Sequence, residues 1–185
     1  MDRLPKAAIV TKLAKRLRHY GSWCGATHIV KAMYLLQELL EVPAGFDFVL
    51  YKHGPYSFDL GDELTSLRAD GLLALEPQSV PYGPRFAVTP LTRRLHATFP
   101  KTLAKYADSI EFVAKALGDK RVDELERVAT ALFVTKRRQS DHDGSIQGRA
   151  KCLNRLKPHV SVDAATQAVE EIDRLSAQVQ AAQKP

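Results

Sequence analysis

The chain has 185 residues, room for one domain or a small core with a helical extension, and its 45% hydrophobic and 26% charged residues are those of a globular protein. No apolar run approaches the roughly 20 residues of a membrane-spanning helix, and no signal-like apolar segment follows the N-terminus, so a cytoplasmic protein with no membrane partner is expected. The formal net charge is +6, and the two cysteines, Cys24 and Cys152, lie far apart in no C-x-x-C pair, which argues against a disulfide framework or a structural zinc site.

From Leu4 to Tyr20 the apolar residues Ala8, Ile9, Leu13, Leu17 and Tyr20 recur every three to four positions, which predicts a first helix with its basic residues mostly on the other faces. Gly21-Ser22 breaks it. Thr27 is the expected N-cap of a second helix, apolar over much of its circumference from Ile29 to Leu40 and therefore central to the core. Residues 46–52 read as a strand that runs into a Gly54-Pro55 turn and then straight into a third helix. Ser57 caps that helix, Leu60, Leu64 and Leu67 line one side of it, and Gly71 stops it.

Two short strands, 72–76 and 85–88, flank a loop punctuated by Pro77, Pro81, Gly83 and Pro84, and Thr89-Pro90 opens a fourth helix that ends near Pro100. One helix is predicted over 101–117, and another, capped by Asp119, from Val122 to Phe133. Residues 136–148 read as a mobile loop, 149–156 as a short helix and 162–181 as a last helix. That last helix has heptad-like spacing but barely three heptads, so it is expected to pack on its own domain rather than to dimerise. Helix, helix, strand, helix and a two-stranded excursion is the winged-helix order. The expected fold class is α+β, mostly α: a winged-helix-type domain over 1–100, with a helical extension over 101–185 packing on it.

Three groups of residues carry a family resemblance: the run Lys31 to Gln37, the Phe48 to Ser57 segment ending in Gly54-Pro55-Tyr56-Ser57, and Leu64 to Leu72. With Glu124 to Thr130 and Leu156-Lys157-Pro158, they make the chain resemble the YwgA-like proteins and, more loosely, the Panacea domain of SocA-like antitoxins and proteolysis adaptors. The likeness spans about residues 10 to 175, and its specific element is Gly-Pro-Tyr-Ser. It brings no catalytic residue with it. Panacea domains neutralise toxins by contact, so the resemblance implies a protein-interaction module in a toxin–antitoxin or defence setting.

Charge is unevenly spread. Residues 1–20 have a net charge of +5, residues 21–100 of −2 and residues 101–185 of +3, with seven basic residues between Lys136 and Lys157. The third helix carries Asp59, Asp62, Glu63 and Asp70 against Arg68 alone. Duplex DNA has a negative charge every 1.7 Å or so, and would be repelled by such a helix. That directs the acidic helix toward solvent or a basic protein surface. With the Lys52, His53 and Tyr56 rim beside it, the expected contact residues are Lys52, His53, Tyr56, Asp59, Asp62 and Glu63.

The alternative is a nucleic-acid-binding transcriptional regulator. It would use Lys12, Lys15, Arg16 and Arg18 of the first helix, Arg85 and Tyr82 of the wing, and Lys136, Arg137 and Arg138. Catalysis has little support. Ser22, Cys24 and His28 lie close in sequence but lack a glycine elbow and a nearby orienting carboxylate. No phosphate-cradling glycine motif is present, and Asp141-His142-Asp143 are three neighbours on a loop that do not converge easily on a metal. No cofactor is expected, and the function expected is that of a non-enzymatic binding or regulatory module.

Overall fold

A helix whose apolar residues recur at three- and four-residue spacing must bury that side, and α1, Arg3–His19, buries more than a stripe. Ala7, Ala8, Ile9, Val10, Thr11, Leu13, Ala14 and Leu17 are all inside. The computed structural model describes residues 1–79, 83–137 and 143–182. It is mostly helical with two small antiparallel sheets, and it divides into two units: Met1–Val49 with Tyr56–Lys120, and Leu50–Pro55 with Arg121–Pro185.

In the first unit, α1 packs on α2, Ala26–Glu38, in which every residue from His28 to Leu36 is buried, Lys31 among them. The helix starts at Ala26 with Gly25 as its N-cap, so Thr27 lies within the first turn and does not cap it. The predicted single helix over 101–117 is two, α5 (Pro100–Lys105) and α6 (Ala107–Leu117), because Tyr106 leaves helical geometry between them. The change of direction lets Ile110, Val113, Ala114 and Leu117 face inward, with α6 against both α1 and α2. The first unit therefore runs to Lys120, where the sequence suggested a boundary at 100.

Helix α3, Phe58–Ala69, follows the pattern closely. Ser57 Oγ accepts the Leu60 N–H at 3.2 Å, and Leu60, Leu64 and Leu67 are buried, each worth about 1.5–3 kcal/mol of apolar transfer. Gly71, at φ +68°, supplies the left-handed turn that ends it. Strands β3, Leu73–Glu76, and β4, Arg85–Val88, pair antiparallel with Leu73 opposite Val88 and Glu76 opposite Arg85. Thr89 and Thr92 form a capping box at the start of α4, Pro90–Thr98, and their hydroxyls also donate to the Gly71 and Leu72 carbonyls at 2.6 and 2.5 Å. On α4, His96 Nε2 lies 2.9 Å from Thr11 Oγ1 of α1.

Strand β1, Val49–Tyr51, is shorter than the predicted 46–52, and Gly54-Pro55 is not the turn. The turn is Lys52-His53, and Gly54, Pro55 and Tyr56 form β2, which pairs with β1. Gly54 sits at φ +84°, a conformation that carries the chain out of the two-residue turn at little cost for glycine. The tip of this hairpin, residues 50–55, belongs to the second unit.

Among the described residues the rest of that unit is three helices, α7 (Val122–Lys136), α8 (Ile146–Leu156) and α9 (Val162–Ala182), each packed on the other two. Leu125, Val128, Leu132, Leu153, Val169 and Ile172 are buried among them. Asp119 does not cap α7; the Arg121 N–H is taken by the Glu124 carboxylate at 2.8 Å. The expected loop over 136–148 is shorter. Lys136 is the last residue of α7, and Ser145 caps α8 by accepting the Gly148 N–H at 2.9 Å.

Removing the α3 cap in Ser57→Ala should cost about 1 kcal/mol, read as a lower urea midpoint with an unchanged slope; an unshifted midpoint would refute the cap's role. Burial, with repulsion from Lys12 and Lys15, lowers the His96 pKa to about 4, below the ordinary 6.5. The unfolded chain therefore takes up this proton first, so the stability held above about pH 6.5 is lost as pH falls toward 4. After screening at a half-buried ring the loss is roughly 1–2 kcal/mol. Urea titrations across that window should show a shallower pH dependence in His96→Gln; some slope remains, because burial lowers the pKa of His28 as well.

Candidate functional site

Helix α3 presents the most open surface of the first unit's predicted contact region. Leu60, Leu64 and Leu67 anchor its inner side, so Phe58, Asp62, Thr65 and Ala69 fall on one outer face by their spacing. Phe58 is 57% exposed and meets Tyr56 edge-on, with ring centroids 5.1 Å apart. Tyr56 itself is half-buried, and its hydroxyl lies over Gly61, where a Cβ would approach it to 2.9 Å. Asp59 and Asp62 are exposed. Beyond Thr65 the face runs into a groove of about 500 Å³ lined by Thr65, Arg68 and Ala69 of α3 and Leu73, Ala74 and Leu75 of β3. Glu63 is not part of this surface: its carboxylate turns to Arg3 at 3.2 Å, and Arg3 also holds Asp70 at 2.6 Å.

Several of the cations expected to form a nucleic-acid face are held within the fold. Arg16 grips Glu111 of α6 with two hydrogen bonds at 2.6 and 2.5 Å, and the Tyr20 hydroxyl donates to the same carboxylate. These two donors, the guanidinium foremost, keep the Glu111 carboxyl below the usual carboxylate range. Arg18 is 3.0 Å from Glu76 and donates to the Phe86 carbonyl at 3.2 Å. Arg85 lies over the Trp23 ring, 5.2 Å from its centroid. Lys15 is exposed and Lys12 half-buried. Lys136 ends α7 and Arg137 is its C-cap, in the second unit; Arg138, Tyr82, Asp141 and His142 lie outside the described residues.

The neighbours Ser22, Cys24 and His28 are all buried. Ser22 Oγ accepts the Cys24 N–H at 2.9 Å, burial pushes the Cys24 thiol up to about 12, and burial lowers the pKa of His28. A thiol and an imidazole both held neutral in this way are poor partners for nucleophilic attack.

The second unit contains a concavity of about 400 Å³, lined among others by His53, Asp123, Glu126, Arg127, Lys157 and His159. Lys157, only 8% exposed, is central to it: Nζ donates to the carbonyls of Tyr51 and Lys52, both at 2.5 Å, and so holds the hairpin turn. Burial pulls the pKa of this ammonium below its ordinary value, and nearby Glu126 acts in the opposite sense. Glu126 Oε1 is 3.2 Å from His53 Nδ1, and Asp123 pairs with Arg127 at 2.9 Å. Lys157, Glu126, Asp123 and Arg127 thus each meet a partner in their own unit. Among the described residues no group of three His, Cys, Asp or Glu side chains is placed to hold a metal ion.

The sequence gives Lys52 and His53 an exposed rim beside the Gly54-Pro55 turn; the structure has both exposed, but as the turn itself, and the sequence does not expose the role of Lys157, whose partners are 105 and 106 residues away. Exposed Phe58, directly after the cap residue, was legible as an apolar side chain opposite the leucine stripe. No protein-family model matches this chain, and no curated protein matches it. Among the described residues no helix is long and apolar enough to cross a membrane.

Replacing Lys157 by Met removes both hydrogen bonds from the turn. Bonds to charged donors are worth about 1.5–3 kcal/mol each before the relief of desolvation is counted, so amide exchange at residues 52–54 should accelerate about ten- to hundredfold. Exchange protection in the middle of α9 should be unchanged. Equal protection of the turn in both proteins would mean that Lys157 does not hold it.

Proposed function

We propose that the first unit is a winged-helix-type domain, akin to the YwgA-like and Panacea proteins, and that the chain is a non-enzymatic binding module working by protein contact in the cytoplasm. The order α1, α2, hairpin, α3 and the β3–β4 ladder supports the fold reading. Two free, buried cysteines suit a reducing compartment. The observation that carries the function is the outer face of α3: an exposed aromatic beside two unburied carboxylates, on a helix held rigidly by buried leucines and continuing into a groove against β3. A rigid aromatic anchor with a charged rim is how protein surfaces obtain both affinity and specificity. A basic segment of a partner, a toxin in the antitoxin setting, suits the charge of Asp59 and Asp62. Reading of a DNA groove by the first helix is disfavoured, because Arg16 and Arg18 already meet carboxylates within the fold.

The experiment is capture of the tagged chain from its host after nuclease treatment, with wild type and F58A/D59N/D62N in parallel. A protein retained by the wild type should be lost, or bound at least about 30-fold more weakly, by the variant, the loss expected for a central aromatic contact. If the variant, melting like wild type, keeps the same partner at the same affinity, the α3 reading fails.

A further inference from the structure

Between Glu76 and Asp108 the chain carries no carboxylate, yet Arg85, Arg93, Arg94, Lys101 and Lys105 fall in that stretch. Helices α4 and α5 occupy much of it, and both pack on α1 and on each other. Helix α4 turns Thr92 and Leu95 inward and leaves Arg93 and Arg94 exposed; α5 leaves Lys101 and Lys105 exposed. On α1, the contact of Thr11 with His96 brings Lys12 and Lys15 to the same junction, close enough for both to disfavour protonation of that imidazole. Six cations, Lys12, Lys15, Arg93, Arg94, Lys101 and Lys105, therefore sit on three mutually packed helices.

None of the six has a carboxylate partner among the described residues, in contrast to Arg3, Arg16 and Arg18, which are all paired. Like charges gathered without counter-charge repel one another and favour any anion that spans them. We propose that this α1–α4–α5 face binds the phosphate backbone of a nucleic-acid duplex, without reading its sequence. Of the side chains that read base edges, the exposed positions of α4 and α5 offer Arg and Lys alone, which serve phosphates equally well, and no Asn or Gln. Phe99 and Tyr106 are half-buried, so there is no open aromatic platform for the bases of a single strand. An acidic protein is disfavoured as occupant because Leu91 is the one large apolar side chain exposed on α4 and α5, too little for the apolar centre of a protein interface. This inference goes beyond the protein-contact reading and uses a different face of the unit.

The test titrates the full chain into a labelled DNA duplex of about 20 base pairs of arbitrary sequence, between about 50 and 200 mM salt. Each cation that meets a phosphate adds about 0.9 to the slope of log affinity against log salt. The variant R93Q/R94Q/K101Q/K105Q should therefore bind at least tenfold more weakly, with a slope shallower by about 3–4. R93K/R94K should bind like wild type, and so should K151Q/R155Q in the second unit. Should the quadruple variant melt early, R93Q/R94Q and K101Q/K105Q carry the same test, each slope being shallower by about 2. No binding by wild type at the lowest salt, or equal binding by the neutralised variants, overturns the proposal. So does polyglutamate displacing the duplex as well as unlabelled duplex does at equal charge, which would mark the face as a site for acidic protein.

Discussion

The first helix sets the terms for the first unit. It is buried over most of its length, it touches α2, α4, α5, α6 and β4, and it carries six lysines and arginines. A cation brought to the edge of a core must keep water or find a carboxylate. Arg3 finds Glu63 and Asp70, Arg16 finds Glu111, and Arg18 finds Glu76. Lys6 rests over the Phe46 ring, 4.5 Å from its centroid. The pairs tie α1 to α3, to β3 and to α6 at the rim, while its buried residues from Ala7 to Leu17 carry the packing itself.

The same pairing sorts the surface. Once Glu63, Glu76 and Glu111 are occupied by arginines of α1, the charge left outward includes Asp59 and Asp62 on α3 and, on α1, α4 and α5, six cations that meet no carboxylate among the described residues. A sequence with modest net charge thereby yields two surfaces of opposite sign, one beside an exposed aromatic and one whose aromatics, Phe99 and Tyr106, are half-buried. Each proposal above rests on one of them.

Much of this was legible from local chemistry. Ser57 and Thr89 announce their helices because capping is decided within four residues, and Gly71 stops α3 because only a small penalty attaches to its positive φ. Longer-range chemistry was not legible. Arg16 and Glu111 are 95 positions apart, and nothing near Arg16 reveals that its charge is already taken. Gly54-Pro55 has the composition of a turn, yet the reversal falls two residues earlier because Gly54 leaves Lys52-His53 and enters a strand. The run free of acidic residues from 77 to 107 stands in the sequence in full, but a block boundary at residue 100 cuts it in two. The eight carboxylates elsewhere in residues 21–100 then turn its first part into a net negative count.

Lys157 reaches back 106 residues to Tyr51, and that span has a consequence for synthesis. A ribosome adding about 5–20 residues per second delivers the hairpin roughly 5–20 s before the lysine that holds it. During that interval the turn must wait on β1–β2 pairing alone, and an isolated two-stranded hairpin is marginal in water. Residues 56–120 emerge in between, long enough for their local helical contacts to form first. Birth order and spatial order therefore disagree in this chain: an early-made tip belongs to its last-made part.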